Sequence, residues 1–394
     1  MDSFDFDTLT ERRGSYSMKW DTMPGDDVIP LWVADMDFRT APSVTDALRR
    51  RVEKGIFGYT DVPEKYYGAL RGWFSRRHGW EIRRDMVIAT SGVVPAVSAI
   101  IKALTIPGDG VILQTPAYNC FFSSVRNNGC REYDNPLIRV DEGRGFTYRM
   151  DFDGLETLVS DPRNKLLILC NPHNPTGRVW TRPELERLRD ICRSHGVRVI
   201  SDEIHCELTH GESGYIPYAT VDSDAVICGS PSKAFNTAGL QNAFIVCPDA
   251  ATRAMVDRAI NDNEVCDVNP FGVDGLIAAY DEGAGWLDSL RGYLDGNYTL
   301  LSDFIAKELP AWKICRSEAT YLAWVDISAT GLTGDEMERH LIDKARVCVS
   351  SGATYGDPRY IRINYACPRP RLAEALGRIR RAFATSPEAG SCTP

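Results

Sequence analysis

Several absences narrow what this chain can be. No apolar run approaches the roughly 18 residues of a membrane span. No C-x-x-C pair occurs among its twelve cysteines, and Met1 to Thr10 carries no apolar stretch that would mark it for secretion. No helix-turn-helix or basic arm offers a face to nucleic acid. Glu203, His205 and Glu207 alternate as strand positions sharing a face would, but His173, His195 and His210 fall at no recognised ligand spacing, so no metal is expected. The scattered cysteines, several inside apolar runs, read as reduced core thiols of a cytoplasmic protein.

What is present is size and a mild acidic excess. A chain of 394 residues, 43% hydrophobic and 25% charged, is too long for one small core and predicts a large domain with a smaller one. A net charge of −9 disfavours nucleic acid and anionic membrane, leaving small molecules as the expected partners.

From about residue 46 to 285, short β-branched runs alternate with helical patterns. Met86 to Ala89, Val111 to Gln114, Leu166 to Cys170, Val197 to Ser201, Ala225 to Cys228 and Ala243 to Cys247 read as strands buried on both faces. Val94 to Leu104 and Pro183 to His195 read as helices, the second capped by Thr181 and ended by Gly196. This predicts an α/β fold with a mainly parallel sheet covered by helices and ligands at the carboxyl ends of the strands. Beyond residue 286 a capping box from Thr333 to Glu336 opens a helix to about Ala345, Tyr360 to Tyr365 alternates, and Leu372 to Phe383 is amphipathic. These elements predict a small α+β domain over 286–394, joined by an N-terminal arm over 1–45, with the Ser-, Pro- and Gly-rich tail 385–394 disordered.

Four places along the chain carry chemistry. Ser230-Pro231-Ser232-Lys233-Ala234-Phe235-Asn236 sets a lysine after a buried run, where its amine is pushed towards the neutral form that attacks carbonyls; a lysine after a strand is, by itself, more often a surface residue. Asp202 ends another strand and suits a pyridine nitrogen that must stay protonated, or is a loop carboxylate. Asn171-Pro172-His173-Asn174-Pro175-Thr176-Gly177 is a stiffened loop that can hold the Asn174 amide against a phenolate-like oxygen, or a structural turn. Ser91-Gly92-Val93-Val94 opens a helix and offers amides to a phosphate, or is a plain helix start.

Taken together with Trp32-Val33-Ala34-Asp35-Met36-Asp37-Phe38, Phe57-Gly58-Tyr59-Thr60, CNPHNPTGRVW from Cys170, SDEIH from Ser201, TYLAW from Thr320 and IRINYACPR from Ile361, these segments resemble the fold-type I pyridoxal-phosphate enzymes of the class I/II aminotransferase superfamily. The narrower likeness is to the cystathionine β-lyase and carbon–sulfur lyase branch, and it runs from about Arg12 to Phe383. It implies a seven-stranded sheet, pyridoxal 5′-phosphate as cofactor and Lys233 as its Schiff-base lysine. It further implies Asp202 at the pyridine nitrogen, Asn174 at the ring oxygen and Tyr118 stacked on the ring. Gly92, Val93, Ser230 and Ser232 would hold the phosphate, and His205 would join the cofactor's surroundings. For an amino-acid substrate it implies Arg362 on the α-carboxylate, with Ala34 and Asn174 nearby. Tyr59 would reach into the neighbouring subunit's site in a homodimer, and either Lys233 or Tyr59 would protonate the departing sulfur.

Two departures from the aminotransferase pattern favour the lyase branch. His205 stands where aminotransferases carry a tyrosine, and Gln241 where many place an arginine on the phosphate. The resemblance therefore implies α,β-elimination of cystathionine, cysteine or related S-substituted cysteines to thiol, pyruvate and ammonia. An aminotransferase, or a regulator keeping the fold for binding, is the alternative.

Overall fold

In the computed structural model, which describes residues 4–262 and 264–384, the expected alternation closes into one seven-stranded sheet. Its order is Val87–Thr90, Ala243–Val246, Val226–Gly229, Arg198–Asp202, Asn164–Cys170, Gly110–Leu113 and Arg131–Asp134. All neighbours pair in parallel except Ala243–Val246, which runs antiparallel to both of its neighbours. Continuous apolar runs such as Leu166 to Leu169 form strands because helices bury them on both faces. The tail 385–394 lies outside the described residues.

The helix Arg182–Ser194 begins where sequence predicts. The Thr181 side chain accepts from the Glu184 amide, the Glu184 carboxylate accepts from the Thr181 amide, and Gly196 leaves the helix at φ 70°. Asp202 is the last residue of its strand, paired in register with Cys170 and Cys228, because both parallel neighbours extend that far. Two expectations are corrected. The seventh strand, Arg131–Asp134, lies at the edge and is mostly exposed, so no apolar run announces it. The helix opened by Thr333 is α-helical only over Gly334–His340 and continues as a π turn over Leu341–Ala345.

A second sheet orders Lys313–Ile314, Leu322–Asp326, Tyr360–Asn364 and Ser350–Ser351, all antiparallel. A hairpin, Ile138–Glu142 with Gly145–Arg149, joins it to the large sheet's side: Arg139 donates to Asp326 at 2.5 Å and to the Tyr360 hydroxyl at 2.8 Å. The 25-residue helix Ala284–Glu308 precedes this second sheet in the chain.

The N-terminal arm is bound by charge. Lys19, wholly enclosed, lies 3.2 Å from the Asp37 carboxylate, which also accepts from Arg12 at 2.8 Å and from the Trp20 indole at 2.9 Å. Burial pushes the Asp37 carboxyl up, but Lys19, Trp20 and Arg12 outweigh it and hold the group below its ordinary value. Asn236 closes the other side, accepting from the Met36 amide and donating to the Met36 and Phe38 carbonyls at 2.9–3.0 Å. The segment Trp32 to Phe38 is thereby held against the carboxyl ends of the large sheet.

Candidate active site

Those strand ends surround a cavity of about 200 Å³. The structure brings Ala34, Gly92, Val93, Tyr118, Asn174, Asp202, His205, Ser230, Ser232 and Lys233 to its wall. Arg362 stands directly behind Asn174. Of the expected residues Tyr59 alone stays away: it is 99% exposed, on a loop with the exposed Ile56 and Phe57.

Lys233 follows the strand Val226–Gly229 by a tight turn and points its amine at the Ala34 carbonyl, 2.7 Å away. Burial, and then the Arg362 charge, lower its pKa to about 8. Asp202 is buried, and loss of water raises its carboxyl to about 6, moderated by the Ile204 amide and the Lys233 charge. The amine and the carboxyl group thus lie near one cavity with their pKa values drawn together, as sites of proton transfer require.

His205 is buried against the Tyr321 ring, and desolvation, with the Lys233 and Arg362 charges, lowers it to about 3. It is therefore a neutral imidazole. Its Nδ1 has no partner, and neither have Asn242 Nδ2 on the same wall and Arg362 Nε behind it. Buried polar atoms are nearly always satisfied, so this set around one cavity is what a bound polar molecule would complete.

The loop carrying Asn174 is closed by its own bonds, the His173 amide to Arg178 and the Gly177 amide to His173. Gly177 sits at φ 71°, and a β-carbon there would lie 2.6 Å from Ser317 Oγ, so the turn needs glycine. Asn174 Oδ1 accepts from Arg362 at 3.1 Å, which leaves the amide's donors for the cavity. Arg362 also donates to the Trp32 carbonyl at 3.0 Å. Sequence alternation puts Arg362 and Asn364 opposite Ile361 and Ile363, yet all four are buried: the polar face meets the Trp32 to Asp35 segment instead of water.

At the other end, the helix Val93–Leu104 presents its first amides, which lack carbonyl partners by the geometry of any helix start. Ser230 Oγ donates to the Asn242 carbonyl at 2.6 Å and accepts from the Ser232 amide at 3.0 Å, so its hydroxyl proton shapes the lysine turn. Gln241, in the left-handed region at φ 48°, lines the same end. Tyr118 is half-buried on the wall, set edge-on to Phe121, with its hydroxyl pKa pushed up by burial.

Sequence reasoning missed Tyr321, whose hydroxyl donates to Ala34 O at 3.0 Å, and Asn236, Asn242 and Cys170. Tyr321, Asn236 and Cys170 lie inside the quoted motifs and Asn242 directly after Gln241, but nothing local shows what they touch; their contacts join segments up to about 290 residues apart.

The residues present fit pyridoxal phosphate: an amine for its aldehyde, a carboxylate for its ring nitrogen, helix amides for its phosphate and an aromatic face beside the ring. Comparison with known proteins agrees. The model of the aminotransferase class I and II family matches residues 26–379. The cystathionine beta-lyase PatB of Bacillus subtilis is 40% identical over 96% of this chain and 99% of its own. The structure of cystalysin from Treponema denticola, which contains a pyridoxal 5′-phosphate cofactor, superposes with a TM-score of 0.93 at 33% identity, covering 97% of this chain and 99% of that one. The pyridoxal-phosphate-bound C–S lyase of Staphylococcus hominis gives 0.89 at 34% identity, covering 96% and 98%.

Proposed function

The chain belongs to the aminotransferase class I and II family, and on that footing we propose that it is a pyridoxal-phosphate-dependent carbon–sulfur β-lyase. Its substrate would be an amino acid with sulfur on the β-carbon, L-cystathionine or cysteine and its S-substituted relatives. The observation that carries this reading is the convergence of the Lys233 amine, the Asp202 carboxyl and the Asn174–Arg362 pair on one cavity.

When bound, the cofactor supplies an aldehyde to join an amine and a ring that withdraws electrons from the α-carbon. Asp202 would hold the proton on the ring nitrogen, and Asn174 Nδ2 would donate to the ring oxygen. Gly92 and Val93 amides and the Ser232 hydroxyl would receive the phosphate. Arg362 would grip the α-carboxylate with donors not committed to Asn174 and Trp32. The Lys233 amine, neutral above about pH 8, would accept the α-proton. The C–S bond then breaks with its electron pair leaving on sulfur as thiolate, and water converts the resulting enamine to pyruvate and ammonia.

Tyr59 supports a homodimer with shared sites: its hydroxyl is unused by its own cavity, and its loop carries exposed apolar side chains that a second copy would cover. No described helix is long and apolar enough to cross a membrane, and the eleven described cysteines are free, which suits a reducing cytoplasm.

The test is to incubate the purified yellow protein with cystathionine and with cysteine, with and without a keto acid, and to measure pyruvate and free thiol. Elimination yields both without keto acid. Dependence on the keto acid would make the protein an aminotransferase, and inertness with bound cofactor would make it a binding protein.

A further inference from the structure

Resting on the reading of Arg362 as the seat of the substrate carboxylate, we propose that Tyr355 is a positioning residue for that arginine, and that its ring sets how strongly the site prefers amino acids over plain amines. The Arg362 guanidinium carbon lies 4.7 Å from the centre of the Tyr355 ring. Tyr355 is 4% exposed, so this is a cation–π contact away from bulk water, where such contacts are strongest.

The ring is itself held in place. Trp324, directly opposite Arg362 in the neighbouring strand, packs edge-on against Tyr355 at 5.7 Å and lies flat on Tyr360 at 4.9 Å. The Tyr355 carbonyl accepts from the Ala117 amide at 2.9 Å, which fixes the residue beside the Tyr118 turn. Asn174 and the Trp32 carbonyl restrain the guanidinium through its two terminal nitrogens, while Nε is buried without a partner. Those two bonds leave rotation about the line joining them; the aromatic face removes it. A guanidinium held flat before substrate arrives loses less freedom in binding a carboxylate, so the ring acts on affinity and not on the proton transfer at Lys233.

The experiment uses the cofactor-loaded protein and follows the change in cofactor absorbance on titration with L-alanine and with ethylamine, which differ at the carbon that bears the carboxylate. The ratio of their dissociation constants isolates the carboxylate contribution. Tyr355→Leu and Tyr355→Met, which keep a buried apolar side chain, are expected to shrink that ratio about tenfold. Ethylamine affinity should be unchanged, and Tyr355→Phe should keep the wild-type ratio. A wild-type ratio in the Leu or Met variant overturns the proposal, as does a Phe variant that loses as much as Leu. Loss of cofactor absorbance in both Leu and Met overturns it too, because the ring would then be supporting the whole site. A wild-type protein that does not prefer alanine would instead strike down the reading of Arg362 beneath it.

Discussion

The amine of Lys233 and the hydroxyl of Tyr321 converge on one acceptor, the carbonyl oxygen of Ala34, at 2.7 and 3.0 Å. The lysine comes from the end of a large-sheet strand and the tyrosine from the segment leading into Leu322–Asp326, so a single backbone atom joins both sheets at the reacting centre. Tyr321→Phe should cost about 0.5–1.5 kcal/mol of stability, the net worth of one hydrogen bond, and lower kcat several-fold by loosening the lysine's seat. Denaturant midpoints and steady-state kinetics check this; wild-type values in both would show the hydroxyl to be idle.

Capture of pyridoxal phosphate by the cofactor-free protein should follow the neutral fraction of Lys233. With the amine lowered to about 8, the capture rate should rise with pH through about 8 and level off above it. An unperturbed lysine would keep rising to about 10.4. Arg362→Met removes one of the two main causes and should move the inflection upward. An inflection near 10 in the wild type would contradict the enclosed amine.

Arg362→Ala should raise KM at least about tenfold, since each charged hydrogen bond to a carboxylate is worth about 1.5–3 kcal/mol, with cofactor absorbance retained. Arg362→Lys should rescue little, because an ammonium cannot reach Asn174, Trp32 and a carboxylate in one plane. Unchanged kinetics in the Ala variant would assign the carboxylate to another group.

If Tyr59 serves the neighbouring subunit's cavity, mixing inactive Lys233→Ala protein with impaired Tyr59→Ala protein should restore activity. In each mixed dimer one cavity has its own lysine and the partner's tyrosine, so random exchange of equal amounts should approach about a quarter of wild-type activity. No recovery after verified exchange would place Tyr59 outside the site.

Much of the fold could be read in advance because it rests on local chemistry. Leu166 to Cys170 is apolar throughout and could only be a strand or helix buried on all sides; its length and the Asn-Pro that follows decide for strand. Arg131–Asp134 and the hairpin at 138–149 left little trace, since edge strands expose polar side chains and their pairing depends on a neighbour already in place. Asp202, Asn174 and Lys233 were legible as chemistry because each follows or ends such a run. Tyr321, Asn236 and Tyr355 were not, because nothing in their local residues says which backbone or guanidinium they will meet.

By itself the chain's order of residues determined the alternating strands and helices, the capped starts at Thr181 and Thr333, and the placing of a lysine, an acid and an amide at successive strand ends. The tertiary structure alone decided that those ends enclose one cavity, that Ala34 gives its carbonyl to the lysine, and that Arg362 turns inward towards Asn174. The physical reason is range: propensity, capping and periodicity act within a few residues. Desolvation and hydrogen bonding at the site act between atoms that are neighbours only after the sheets have packed.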